Sequence, residues 1–322
     1  MTDRQKILFI GGLGRSGSTL IEKLLNELDQ TFAVGETVHL WERGVAADER
    51  CGCGAAFSRC DHWEAVGQAA FGGWDRIDLD EVIGLRWSVD RTRRLPAIVR
   101  AHRRGPDRHQ RRYLDHLRPV LVAAADVAGG AEVLLESSKH LSTAALLALD
   151  PALDVRVLHL VRDPRGVAHS WTKRVARPEA DGEIMPIYRP GRTAARWVTD
   201  NAGFEALGRI VPTLTLRYED ALADPVATLR AVAVLAGLRP EELDLRFIDG
   251  TTARLATPMH SAAGNPLRFG SPEITLRCDD AWRRDLAPRR RHLVTVVTAP
   301  LLVRHHYPLV VGRPAPPGRP GT

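Results

Sequence analysis

The sequence predicts an α/β fold in which a doubly wound parallel sheet, flanked by helices, is interrupted by an inserted helical cap. Three observations predict it. A continuous apolar run, Ile7 to Ile10, enters a turn rich in glycine and hydroxyls and then an amphipathic helix. Short apolar runs bounded by breakers then alternate with helical patterns, which implies parallel pairing through right-handed crossovers. Residues 36 to 128 break the alternation with a Cys/Gly-rich loop and long Arg-heavy amphipathic stretches.

Behind the turn Gly11 to Thr19, Leu20, Ile21, Leu24, Leu25 and Leu28 recur at helical spacing, so a helix starts near Gly17. Further strand runs stand at Glu132 to Leu135, Val155 to Val161 and Leu214 to Tyr218. Helical patterns cover Ser142 to Leu149, Gly166 to Val175, Thr193 to Leu207 and Val226 to Leu235. Ligands in such sheets bind beyond the carboxyl ends of the strands. Residues 1–311 are expected to form one domain with the cap at about 36–128, and Gly312 to Thr322, rich in Pro and Gly, a flexible tail.

At 322 residues, 44% hydrophobic and 26% charged, the chain is too apolar to be mainly disordered and long enough to fold without disulfide or metal staples. No stretch approaches the roughly 18 to 20 apolar residues of a membrane span. Arg4 and Lys6 before the first apolar run imitate a signal peptide, but glycines and Arg15 close that run at once, so a cytoplasmic protein is expected. The net charge is +6, and Arg86 to Arg118 hold eleven Arg against Asp90, Asp107 and Asp115. Such a block attracts nucleic acid or acidic ligands, or is simply a solvated helix surface. Only four of the 45 basic residues are lysines, which gives weight to a Lys at a ligand-facing turn.

The strongest chemical signal is the turn after the first strand. Its glycines let backbone N–H groups close around an anion, and the following helix adds its N-terminal N–H groups and positive dipole end. Arg15, Ser16, Ser18 and Thr19 add side-chain donors, so a nucleotide phosphate can be held without metal. In the nucleotide triphosphate loop a Lys follows the last Gly. Here the spacing from Gly12 to Gly17 makes the loop P-loop-like, but Ser18 takes the lysine position and the basic residue stands earlier, at Arg15. That opposes ATP or GTP hydrolysis, and the missing lysine at Ser18 also opposes an ATP-dependent small-molecule kinase, the competing enzyme reading.

Gly14-Arg15-Ser16-Gly17-Ser18-Thr19 resembles the loop that binds the 5′-phosphosulfate in the sulfotransferase superfamily using 3′-phosphoadenosine 5′-phosphosulfate (PAPS), in the form of many bacterial and carbohydrate- or tyrosine-modifying members, and the bacterial branch is the expected one. A second segment strengthens the resemblance. Leu160-Val161-Arg162-Asp163-Pro164-Arg165-Gly166-Val167-Ala168-His169-Ser170 leaves a strand and enters a helix, and it is similar to the family's 3′-phosphate site, which implies that Arg162 and Ser170 hold that phosphate. Physically, Arg162 can clamp a phosphate bidentately and Ser170 can donate its hydroxyl. Arg217-Tyr218-Glu219-Asp220 resembles the family's adenine-contacting segment, which implies that role for Tyr218. The segment His260 to Phe269 resembles one that lies beside the nucleotide in bacterial members, and it offers Arg268 as a second 3′-phosphate ligand.

The resemblance implies an enzyme that moves a sulfuryl group from PAPS to a hydroxyl or amine by in-line displacement, releasing adenosine 3′,5′-bisphosphate (PAP), with no obligatory metal. A nucleic-acid-binding module using the Arg86 to Arg118 cluster leaves both phosphate motifs unexplained, so no nucleic-acid or membrane partner is expected. Negative charge builds on the departing bridging oxygen, and Arg15 and Lys139 are the candidate cations, with Ser137 or Ser138 in support. The base candidates are Glu36, by its resemblance to the carboxylate of tyrosylprotein-type relatives, then His140 and His39. Glu36 would need its pKa raised by burial to work near neutral pH. Cys51, Cys53, Cys60 and His62 leave zinc, redox and plain turn chemistry open, and no metal ligand is assigned. The acceptor class stays broad: small-molecule, carbohydrate or peptidic. Trp41, Trp63, Trp74 and Trp87 are candidate cleft walls or core residues.

Overall fold

In the computed structural model, which describes residues 4–312 apart from 181 and 271, five parallel strands form the central sheet. They are β1 (Gln5–Gly11), β2 (Thr31–Gly35), β3 (Val133–Lys139), β4 (Leu153–Val161) and β5 (Thr213–Arg217), in the spatial order β2-β3-β1-β4-β5. The alternation of strand and helix patterns thus folds as expected. Helix α1 (Ser18–Leu25) carries the chain from β1 to β2, and after β3 the helix α6 (Leu141–Leu147) carries it past β1 to β4. The strand order therefore reverses beside β1, a topology that places ligands outside the carboxyl ends of β1, β3 and β4. Gly11 is paired with both Lys139 and His159 there.

The strands are buried on both faces, which is why they read as continuous apolar runs. Leu8 and Ile10 pack with Ile21, Leu24, Leu158 and Leu229 on one face, while Ile7 and Phe9 pack with Leu134, Val155, Val157 and Phe204 on the other. The flanking helices are α7 (Pro164–Ser170), α8 (Pro190–Leu207), α9 (Tyr218–Ala223), α10 (Pro225–Ala236), α11 (Trp282–Asp285) and α12 (Pro288–Arg304). One extra residue on β3 opposes β1, since Phe9 pairs with Glu136 but Gly11 with Lys139. Bulges re-aim side chains next to active sites, and this one delivers Lys139 with a left-handed φ of 66°.

Between β2 and β3 lie α2 (Asp61–Phe71), α3 (Leu79–Val89), α4 (Leu95–Arg104) and α5 (Arg108–Val127), with α2 and α3 packed on α5. Asp107 caps α5 through a capping box with Gln110. These helices are not a detached lid. Trp41, Trp63, Tyr113 and Leu117 are buried in the same cluster as Ile7 and Phe9 of the sheet. Trp41 and Trp63 are therefore core residues, and Trp87 lies under the Arg91 guanidinium, 3.1 Å from its ring centroid. Within the arginine block, Arg86 is buried against Glu42, and Arg118 pairs with Asp115 and Asp150. Of the Gly312 to Thr322 tail, residues from 313 onward lie outside the described residues.

Because insert and sheet share one core, Trp41→Ala should destabilise the whole protein by about 3 to 5 kcal/mol in one transition. Two separate transitions in chemical denaturation, with the sheet's unchanged, would show an independently folding insert.

Candidate active site

The loop after β1 needs glycine where it turns. A Cβ at Gly12, whose φ is 129°, would stand 2.4 Å from the Leu160 carbonyl oxygen, and one at Gly17, φ 91°, would stand 2.2 Å from the Tyr218 ring. Arg15 also takes a left-handed φ, 75°, without being glycine. Such strain persists where surrounding structure imposes it, and here Trp171 supplies part of that. Its Nε1 donates to the Gly14 carbonyl at 2.9 Å, and the Arg15 guanidinium lies over its ring at 5.2 Å. Ser16, Ser18 and Thr19 are buried, the last two at the start of α1. The result is a tight loop that sets three hydroxyls beside the N-terminus of α1, an arrangement of donors suited to an anion.

Arg162 follows β4 and is 7% exposed. Its Nη1 donates to the Arg15 carbonyl at 3.1 Å, its Nη2 donates to the Asp279 carbonyl at 3.1 Å, and its guanidinium lies 4.8 Å from the Tyr218 ring centroid. Residues 147 positions apart are thus in direct contact. Trp197 Nε1 donates to the Arg162 carbonyl at 2.9 Å, and Glu219 accepts from Asp163 N at 3.0 Å. Asp163 in turn caps α7 and pairs with the buried Arg165. Ser170 is the last residue of α7, half-buried. Tyr218, 6% exposed, is packed between the Gly17 backbone and Arg162.

The candidate base and cation meet at the ends of β2 and β3. Lys139 Nζ donates to Glu36 Oε1 at 2.6 Å and to the Ser137 carbonyl at 2.8 Å. Ser138 supports the same corner, its Oγ accepting from Val38 N at 3.0 Å. Burial pushes the Glu36 carboxyl up, but Lys139, His39 and Arg43 outweigh it and hold it at about 2. The raised pKa expected for a base at Glu36 is therefore corrected: the carboxylate is ionised and paired. His39 Nε2 lies 3.7 Å from Glu36 Oε2, and the His39 and His140 rings meet edge to face at 6.3 Å. Burial lowers both imidazoles, His39 to about 4, so both are neutral near pH 7.

Two buried carboxyls beside this pair gave no sequence signal. Glu136 accepts from Thr37 N at 3.0 Å and Thr37 Oγ1 at 2.7 Å, and burial raises it to about 7. Glu22, on the inner face of α1, has no hydrogen-bond partner for Oε1; burial pushes it up to about 8, with Lys139 and Ser137 offsetting part of the rise. Trp171 was also missed, since an indole that braces a loop looks like any core tryptophan.

Arg268 is 4% exposed, donates to the Arg50 carbonyl at 2.9 Å and leaves Nε and Nη1 unpartnered. It approaches Gly264, which faces Glu36. Its contacts are thus on the Glu36 side and not with Arg162, because the 260–268 segment follows the end of β2, where Ala262 N donates to the Val34 carbonyl at 3.1 Å. The cysteine set also changes. Cys51, Cys53 and Cys60 converge with His260, whereas His62 is a buried ring tilted against both Phe32 and His260.

A family model described as "Sulfotransferase family" matches residues 8–242. Carbohydrate sulfotransferase 5 of Mus musculus is 28% identical over 232 residues, which covers 62% of this chain and 55% of the relative. Carbohydrate sulfotransferase 2 of Homo sapiens is 26% identical across 88% of this chain and 62% of the relative. The chain thus spans less than two thirds of the length of these relatives. A solved sulfotransferase domain from the curacin biosynthetic pathway has the same fold, with a TM-score of 0.50 at 15% identity over 94% of this chain and 98% of that domain.

Glu22 yields a stability test. The unfolded chain ionises this carboxyl near ~4.3, whereas the folded protein holds its proton up to about 8. The stability it lends is complete below the unfolded value and is lost as pH rises toward the folded one. Glu22→Gln should therefore match wild type near pH 4 and exceed it increasingly up to pH 8, by on the order of a few kcal/mol. Denaturant midpoints with a pH-independent difference would contradict a buried, protonated Glu22.

Proposed function

The chain belongs to the sulfotransferase family, and we propose that it transfers a sulfuryl group from PAPS to a hydroxyl or amine acceptor and releases PAP. The observation that carries this reading is the contact of Arg162 with the Arg15 carbonyl, which brings two anion-binding elements to one crevice. In this reading Gly14 to Thr19 hold the 5′-phosphosulfate and Arg162 with Ser170 the 3′-phosphate. Tyr218 spaces the two elements and borders the adenine, since its ring is covered by Gly17 and Arg162. Arg268 belongs to the Glu36 side of the crevice. Residues 1–311 act as one domain, supported by the core that insert and sheet share.

The Lys139–Glu36 pair supplies both chemical roles. As the bond from sulfur to the bridging oxygen breaks, Lys139 and Arg15 offset the charge on that oxygen. When Lys139 turns to it, Glu36 loses the partner that keeps its pKa low, and burial raises its basicity. Glu36 then takes the acceptor's proton as the acceptor oxygen or nitrogen bonds to sulfur, and His39 or His140, both neutral, can pass that proton on. These side-chain cations make the step independent of a catalytic metal.

A carbohydrate hydroxyl is the first acceptor class to test, from the printed names of the mammalian relatives, with small-molecule and peptidic acceptors beside it. The bacterial-branch assignment rests on the Gly14 to Thr19 and His260 to Phe269 segments. The cytoplasmic reading is supported by the free Cys51 and Cys60 in the core. No helix among the described residues is long and apolar enough to cross a membrane.

PAP should raise the melting temperature several degrees more than ATP with Mg²⁺, and Arg162→Ala should erase the difference. Equal shifts with both nucleotides would overturn the assignment. Lys139→Ala should slow turnover by about 10²- to 10³-fold with little loss of PAP affinity. Wild-type turnover in that variant would remove Lys139 from the reaction.

A further inference from the structure

We propose that Cys51, Cys53, Cys60 and His260 form a structural zinc site that fastens the beginning of the insert to the segment beside Glu36. The four ligand atoms all lie within 4.8 Å of one another. Cys60 Sγ is 3.6 Å from Cys51 Sγ and 3.7 Å from Cys53 Sγ, while His260 Nδ1 is 3.2 Å from Cys60 Sγ and 4.0 Å from Cys51 Sγ. Zn–S bonds of ~2.3 Å and Zn–N bonds of ~2.0 Å in a tetrahedron place sulfurs about 3.8 Å apart and sulfur and nitrogen about 3.6 Å apart. The sulfur–sulfur edges fall just below the first value and the sulfur–nitrogen edges lie on either side of the second. They are too long for any disulfide, whose sulfurs stand ~2.05 Å apart, and an odd number of thiols meets at one point.

The backbone is arranged for convergence. Cys51 N donates to the Ala55 carbonyl at 2.8 Å and Gly54 N to the Cys51 carbonyl at 2.9 Å, with Gly54 at a φ of 94°, so the chain reverses tightly between the first two thiols and the third. Gly52 N donates to the Ser261 carbonyl at 3.0 Å, and a Cβ at Gly52 would stand 2.7 Å from the Met259 carbonyl oxygen. Around the imidazole, Trp63 Nε1 donates to the His260 carbonyl at 2.7 Å and Phe32 stacks on the ring. Zn²⁺ would displace three thiol protons to solvent and leave a complex of net charge −1. The Arg268 guanidinium, bonded to the carbonyl just before Cys51, has Nε and Nη1 free to meet that charge.

The site would act on the reaction at one remove. His260 precedes Ala262 and Ala263, which pair with Val34 and Glu36 at the end of β2. The metal would thereby hold the strand end that presents the candidate base.

Metal analysis of the full chain, produced in zinc-supplemented medium and purified without chelators, should find about one zinc per chain. Cys60→Ser and His260→Ala should lose most of it, and His62→Ala should keep it, which separates the two histidines. Should either ligand variant fail to fold, wild-type protein stripped by a chelator and given Co²⁺ serves instead. It should develop the visible bands of tetrahedral cobalt and a thiolate charge-transfer band. Wild-type protein without zinc and without those cobalt bands would overturn the proposal, as would intact mass under non-reducing conditions showing a disulfide among the three cysteines.

Discussion

The site depends on one hydrogen-bonded contact, the Arg162 guanidinium against the Arg15 carbonyl. Arg162 is fixed from behind by Trp197 and beneath by Tyr218, and Tyr218 fits only because residue 17 has no side chain. Each partner comes from a different strand end, so a parallel sheet with β1 beside β4 is what makes the contact possible. A buried guanidinium that donates to two carbonyls and lies 3.9 Å from the Asp279 carboxylate has little side-chain freedom left to lose, so in the proposed reaction it would meet an anion without reorganising.

The second organising feature is electrostatic. Glu22, Glu36 and Glu136 cluster near the ends of β2 and β3, with Glu22 and Glu136 buried and the Glu36–Lys139 pair half-buried, and one ammonium cannot neutralise three carboxylates. The protein resolves this by letting Glu36 carry the charge while burial raises Glu22 and Glu136 to about 8 and about 7. The β3 bulge and the left-handed Lys139 backbone make the arrangement possible, and they store strain where the cation must point. Such a balance responds to any change at Lys139, and in the proposed reaction it would couple donor binding to the basicity of Glu36.

What the sequence made legible is what neighbouring residues encode. The β1–loop–α1 unit and the β4–Arg162–α7 unit are local patterns, and both folded as their patterns require. Strand β2 escaped notice because five residues, Thr31–Gly35, follow the polar Asp29-Gln30 and show no alternation. Helix α12 was obscured by Arg289 to Arg291 at its start and Pro300 inside it. Glu22 looks like an ordinary polar residue on an amphipathic helix, and only β3, more than a hundred positions later, buries it. His62 appeared to complete the cysteine set by proximity in sequence, whereas His260 arrives across 200 residues because its segment docks on β2. Arg268 contacts the Arg50 carbonyl and the Glu36 side for the same reason.

A crystal structure with adenosine 3′,5′-bisphosphate bound is the most direct examination of this picture. One nucleotide should bridge the crevice, its 5′-phosphate against the amides of residues 14–19 and its 3′-phosphate within hydrogen-bonding distance of Arg162 and Ser170. A nucleotide bound elsewhere, or one whose 3′-phosphate points away from Arg162, would contradict it.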